Sequence, residues 1–207
     1  MNAAGPSPLP PAGDALRRVV AIVALLNLGY FGVEFAVARW IGSVALFADS
    51  IDFLEDAAVN GLILLALGWS ARRRAAVGMV LAAILLVPGM ATLWAVAAKF
   101  ALPLPPAPLP LSLAGLGALA VNLACAAMLA RHRGHAGSLS RAAYLSARND
   151  AAANVAIIGA GLVTARWWSV WPDLVVGIGI FLMNLDAARD VWKAAQAERA
   201  AATEARA

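Results

Sequence analysis

The sequence predicts an all-α polytopic membrane protein, with six transmembrane helices and both the N- and C-termini in the cytoplasm. Three observations carry this reading. Of the 207 residues, 62% are hydrophobic and 14% charged, against about 45–50% apolar and about 25% charged in soluble domains. Several runs exceed the roughly 20 apolar residues that cross a hydrocarbon core. The lysines and arginines, finally, fall on one side of the resulting topology.

In chain order, residues 1–16 are rich in Pro, Gly and Ala and lack a positive segment followed by an apolar core. They read as a disordered tail rather than a cleaved signal. Helices follow at 18–39, 43–69, 76–100, 111–131, 141–165 and 172–194. The six-helix domain fills 17–195, and a short tail, 196–207, remains. Breakers separate the spans: "WIGS", "WSARRR", "ALPLPPAPLPLS", "RHRGHAGSLSR" and "RWWSVWP". Pro88-Gly89 should kink the third helix by removing a backbone bond.

With the N-terminus inside, the cytoplasmic face carries Arg17, Arg18, Arg72, Arg73, Arg74, Arg131, Arg133, Arg141, Arg189, Lys193, Arg199 and Arg206. The outer face carries only Arg39, Lys99 and Arg166, as the positive-inside rule requires. The net charge of +4 therefore reflects topology and gives no reason to expect nucleic acid as a partner. Trp40, Trp69, Trp167, Trp168 and Trp171 stand at span ends, where an interfacial belt belongs. The single cysteine, Cys125, excludes a disulfide framework or a cysteine metal cluster. No cofactor is expected.

The second span does not look like a lipid-facing helix. "FADSIDFLEDAAVNGLILLALGW" places Asp49, Asp52, Glu55 and Asp56 in an otherwise apolar run. At about 100° per residue, Asp49, Asp52, Asp56 and Asn60 share an arc of about 80°, and Glu55 points away. Each charge at mid-bilayer costs about 2.5–3.5 kcal/mol. The stripe must therefore face other helices or water. A second set lies in "YLSARNDAAANVAIIGA": Ser146, Asp150 and Asn154 stand four apart, Asn149 borders them, and Arg148 faces the other way. With a rise of about 1.5 Å per residue, Asp56 lies about 20 Å and Asp150 about 18 Å from the outer surface of a core about 30 Å thick. Asp52, Asp56 and Asp150 can meet near the midplane, where they repel unless a cation or protons intervene. Asp49 is either a pathway residue or a solvated helix start. Glu34, at the same level, either lines an outer vestibule or pairs with Arg39. Glu55 reads as a packing partner.

These residues resemble the cation diffusion facilitator family. Its second span runs roughly "SLALLADALHxLxD", and this chain has "SVALFADSIDFLED" from Ser43 to Asp56. "NLGYFGVE" is similar to its first span and "WPDLVVGIGIFLMNLDAARDVW" to its sixth. The resemblance implies export of a divalent metal cation, usually zinc, in exchange for protons, by a homodimer; the Ala- and Arg-rich composition points to a bacterial inner membrane. The cation is the transported substrate. Carried over by register, the metal ligands are Asp52, Asp56, Ser146 and Asp150, with Asp49, Asn60, Asn149 and Asn154 as additional metal or pathway residues. The family's fifth-span His is Ser146 here, and Asp52 stands where the second span often has His. The site is thus rich in oxygen and without imidazole, which suits manganese or magnesium better than zinc. The cargo is left open among zinc, cobalt, cadmium, manganese and iron. The family's cytoplasmic domain after the sixth span is not expected here, so the spans must hold the dimer. His132 and His135 lie in a loop where members often have histidines; flanked by arginines that repel cations, they are either a metal relay or ordinary interfacial loop residues.

A non-transporting membrane subunit that partners a full-length transporter is the alternative. The three costly aspartates weigh against it. An intramembrane aspartyl hydrolase fits less well, because its Gly-x-Gly-Asp context is absent. An organic-cation exporter would favour more aromatic side chains near the acidic stripe.

Overall fold

The structure, a computed structural model, describes residues 11–66, 76, 90–130, 137–185 and 189. Among them run six helices and no strand: α1 (Pro11–Ile41), α2 (Val44–Ala66), α3 (Met90–Ala101), α4 (Pro108–Ala130), α5 (Gly137–Trp167) and α6 (Trp171–Leu185). Ala15–Ile41 and Pro108–Ala130 are each long and apolar enough to cross a membrane. α2 has the length, but any stretch of it long enough to span includes all four of its carboxylates.

Several helix ends differ from the sequence expectation, for backbone reasons. α1 begins at Pro11, inside the tail expected to be disordered. A proline at the first helical position gives up no intrahelical bond, and its φ is already set. α4 begins at Pro108 rather than at 111. Pro108 and Pro110 occupy the first turn, where N–H groups have no partner within the helix. α5 starts four residues earlier than expected, at Gly137, and closes where Trp168 takes φ 41°. That is the left-handed cap conformation usually held by glycine, and the Trp168 N–H returns to Thr164 O at 2.8 Å. The Pro88-Gly89 kink, Arg72 to Arg74, Trp69, the loop holding His132 and His135, and the tails at 1–10 and 196–207 lie outside the described residues.

A two-residue turn joins α1 to α2. Gly42 adopts φ 66°, and Ser43 N–H reaches back to Ala38 O at 3.0 Å. This closes a Schellman motif that only a residue tolerant of positive φ completes cheaply. α1 then presents Val23, Asn27, Glu34 and Ala38 on one buried stripe at helical spacing. It lies along α2 and α4, while α4 lies along α5; α2 touches α4 and α5 only lightly.

The core forms around the first turns of α2. Ala45, Leu46 and Ala48 are buried with Ala38, Leu111, Ala114, Ala153, Ile157 and Ile180, drawn from α1, α4, α5 and α6. Val44 packs with Val170 and Leu174, backed by Ala95 and Val96 of α3. The α4–α5 seam is lined by small residues, which let backbones approach. A Cβ at Gly115 would come within 2.9 Å of Ile157 Cγ2. Tyr30 ties α1 to α4, its hydroxyl donating to Ala114 O at 2.6 Å. The exterior is apolar: Leu25, Leu109, Leu113, Leu162 and Val175 are all exposed. Trp40, Trp167, Trp168 and Trp171 are exposed together at the end of the bundle that carries the α1–α2 and α5–α6 turns.

Candidate functional site

α2 is enclosed on every side over residues 44–51 and only partly covered at Asp52, Glu55 and Asp56. The acidic stripe therefore divides. Asp49 sits in the enclosed half and is fully buried. Its neighbour is Glu34 of α1, also fully buried, and among the described residues neither carboxyl has a hydrogen-bond partner beyond the other. Glu34 thus faces Asp49 across the α1–α2 seam, whereas Arg39 lies exposed on the surface.

Asp52 and Asp56 belong to the more open half and look toward α5. Asp150 is buried and feels the negative charge of Asp56, Asp49 and Glu55; Asp52 in turn feels Asp150 most strongly among its charged neighbours. The two predicted sets therefore come within electrostatic reach across the lightly packed α2–α5 seam. Reach is not coordination, however. Among the described residues no three His, Cys, Asp or Glu side chains stand close enough to hold a metal ion. Glu55, expected to point away, is partly buried and adds to the same negative field.

The flanking amides brace the two helices. Asn60 Nδ2 donates to Asp56 O at 2.8 Å, and Asn154 Nδ2 donates to Asp150 O at 2.7 Å. In each, the amide oxygen is buried with no partner, leaving an acceptor beside each carboxylate turn. Asn149 is exposed and does not share this buried face. Ser146 lies on α5 one turn before Asp150, and its side chain is outside the described part.

Three neighbours were not foreseen. Cys125 of α4 packs among Val23, Ala126 and Leu129, and Asp56 and Asp150 both act on its thiol electrostatically. α4 thereby closes one side of the site. Asn27, fully buried on α1, has both amide atoms unpartnered. Asp173 of α6 is fully buried at the start of α2 and accepts hydrogen bonds from Ser43, Val44 and Ala45. In the sequence it reads as an ordinary acidic residue in the first turn of its own helix, so nothing there announces a bond to another helix.

A negative site between helices, with no basic side chain on α4 or on the described part of α2, can attract and release cations or protons. A search of curated proteins finds no significant match. The chain does match the family model for the cation efflux transmembrane domain, over residues 20–197. That match covers most of the chain and includes both acidic helices, so the protein belongs to the cation diffusion facilitator family of membrane transporters for metal cations.

Proposed function

We propose that the chain exports a divalent metal cation from the cytoplasm in exchange for protons, through a carboxylate site between α2 and α5. The observation that carries this reading is the mutual approach of Asp52, Asp56 and Asp150 across a lightly packed seam in a cation-efflux domain. Asp52, Asp56 and Asp150 serve as ligands and proton carriers, and Ser146 supplies a further oxygen. Carboxylates this close repel one another, so the site favours occupancy by a cation or by protons. A metal arriving from inside displaces the protons. When the site opens outward, protons displace the metal. Because the three carboxylates are not gathered to ligating distance, cargo must draw α5 toward α2, and this supplies the differential binding that couples occupancy to conformation.

The supporting frame is a six-span domain over 17–195 with both termini in the cytoplasm, as the arginine distribution favours. In that frame the exposed Trp40, Trp167, Trp168 and Trp171 form the outer belt of a bacterial inner-membrane protein that pairs with a second copy through its spans. An oxygen-only donor set directs the site toward harder ions, manganese before zinc.

Metal-driven proton flux in proteoliposomes tests the proposal, with zinc, cobalt, cadmium, manganese and iron(II) tried in turn. One or more metals should drive proton movement in the wild type, and Asp56→Asn and Asp150→Asn should each abolish it while the protein stays folded. Flux that survives either substitution removes that residue from the site. Silence with every metal, from folded protein, would favour the non-transporting subunit.

A further inference from the structure

The α2 carboxylates are carried on one helix whose first turn is held by another. Asp173 of α6 is fully buried. Its Oδ1 accepts from Ser43 Oγ at 2.6 Å and from Ala45 N–H at 3.2 Å, and its Oδ2 accepts from Val44 N–H at 2.9 Å. Ser43 Oγ also accepts from Leu46 N–H at 3.1 Å. The first three N–H groups of α2 are thus satisfied, two of them by a side chain that comes 128 residues later in the chain or more. One turn along α6, Gly177 permits the close approach: a Cβ there would lie 2.8 Å from Val44 Cγ1 and 2.9 Å from Ala45 N. α3 grips the same point, Lys99 Nζ donating to Gly42 O at 2.5 Å and lying within electrostatic reach of Asp173.

We infer that Asp173 is a positioning residue for the metal site, fixing the height and rotation of α2 so that Asp52 and Asp56 meet Asp150. The inference rests on the metal-site reading above for what α2 is positioned to do. A helix stabilised only by its own Ser43 cap can still slide and turn against its neighbours. Bonds to two successive backbone N–H groups and one hydroxyl remove both freedoms, because they fix a direction as well as a point. Asp52 and Asp56 lie about 12 Å and about 18 Å along the helix from Val44 at a rise of about 1.5 Å per residue. With side chains reaching about 5–6 Å from the axis, a rotation of about 20° would sweep each carboxylate by about 2 Å. That shift separates a ligating oxygen, at roughly 2.0–2.6 Å from a divalent ion, from a non-ligating one. The start of α2 is therefore the fixed end of the transporter, docked to α6 and α3, and the opening seam lies elsewhere.

The test compares purified wild type with Asp173→Ala, Asp173→Asn and Ser43→Ala, titrating the folded fraction with manganese or zinc by calorimetry. Asp173→Ala should weaken binding at least tenfold at unchanged stoichiometry. Asp173→Asn, which keeps one acceptor oxygen, should restore part of the loss, and Ser43→Ala should fall between it and the wild type. An unchanged Kd in folded Asp173→Ala, with only the melting temperature lowered, would reduce Asp173 to a structural cap and overturn the proposal. Should the wild type bind no metal, the transport reading fails. Positioning is then read separately, from the spin-label distance between Val59 on α2 and Val175 on α6. That distance should be narrow in the wild type and broaden in both Asp173→Asn and Ser43→Ala, the milder variants that remain available if Asp173→Ala does not fold. Equal widths in all three proteins refute it.

Discussion

Asp173 and Asp49 are both fully buried around the first turns of α2, yet Asp173 accepts three hydrogen bonds while Asp49 has nothing beyond Glu34. An unpaired buried polar group costs about 1–3 kcal/mol, and more when charged. The Glu34–Asp49 pair avoids that cost only while one carboxyl keeps its proton and donates to the other, whereas an amide donates at any pH. Glu34→Gln supplies an amide N–H to Asp49 and removes one carboxyl from the seam. It should stabilise the fold at alkaline pH, where two carboxylates would otherwise face each other, by about 1–3 kcal/mol, raising the melting temperature there by roughly 2–4 °C per kcal/mol. A lower melting temperature in detergent would mean that the two carboxyls already share a bound ion or water that the amide displaces. At this scale the sequence was partly legible. A charge in an apolar run is conspicuous, so Asp49, Asp52, Asp56 and Asp150 stood out. Partnership across helices is not written in any one helix's period, so the sequence leaves Glu34 between Arg39 and a vestibule and marks nothing special at Asp173.

Close approach between helices here depends on small residues placed at particular turns. On α5, a Cβ at Gly161 would collide with Ser112 Oγ and lie 3.2 Å from Pro108 O, while one at Gly159 would meet nothing within 4 Å. Gly161→Ala should therefore cost about 1–3 kcal/mol through overpacking. Gly159→Ala should be neutral or stabilising by up to about 1 kcal/mol, the helix-propensity difference between the residues. Thermal melts of the two variants side by side decide this, and equal melting temperatures would show that α4 and α5 do not meet where the glycines place them. Helix existence and order are readable from apolar runs together with the breakers that separate them. Helix ends were less so, because the strongest breaker in sequence, proline, is also a preferred helix starter: Pro11, Pro108 and Pro110 lie in first turns. Trp168 hid the end of α5 for the converse reason, since a left-handed cap announces itself only when it is glycine.

The four longest described helices form two closely packed pairs, α1 with α2 and α4 with α5, joined mainly through α1 and α4. The acidic residues of the proposed site lie on a seam where the pairs meet only lightly, between α2 and α5. Packed cores move as bodies between discrete arrangements rather than deforming smoothly. An α1–α2 seam enclosing Glu34, Asp49 and the Tyr30–Phe53 ring pair, whose centroids lie 5.1 Å apart, is a poor place to open. Beyond the shared core of Ala45, Leu46, Ala153 and Ile157 the α2–α5 seam is lightly packed, so cargo-driven motion should change the α2–α5 distance there and leave the α1–α2 distance alone. Spin labels at Val59 on α2 and Val155 on α5 report the first, and labels at Leu28 on α1 and Val59 report the second; all three positions are exposed. Cys125, buried on α4, is replaced by Ser in this background. Labelled protein is diluted with unlabelled protein so that only distances within one chain are read. Adding a transported metal should shorten or split the Val59–Val155 distribution and leave Leu28–Val59 unchanged. If both pairs shift together, α2 moves against α1 as well, and the partition into two bodies is wrong. If neither shifts, the three carboxylates do not close on the cation, and the site must gather its ligands from side-chain rotation alone.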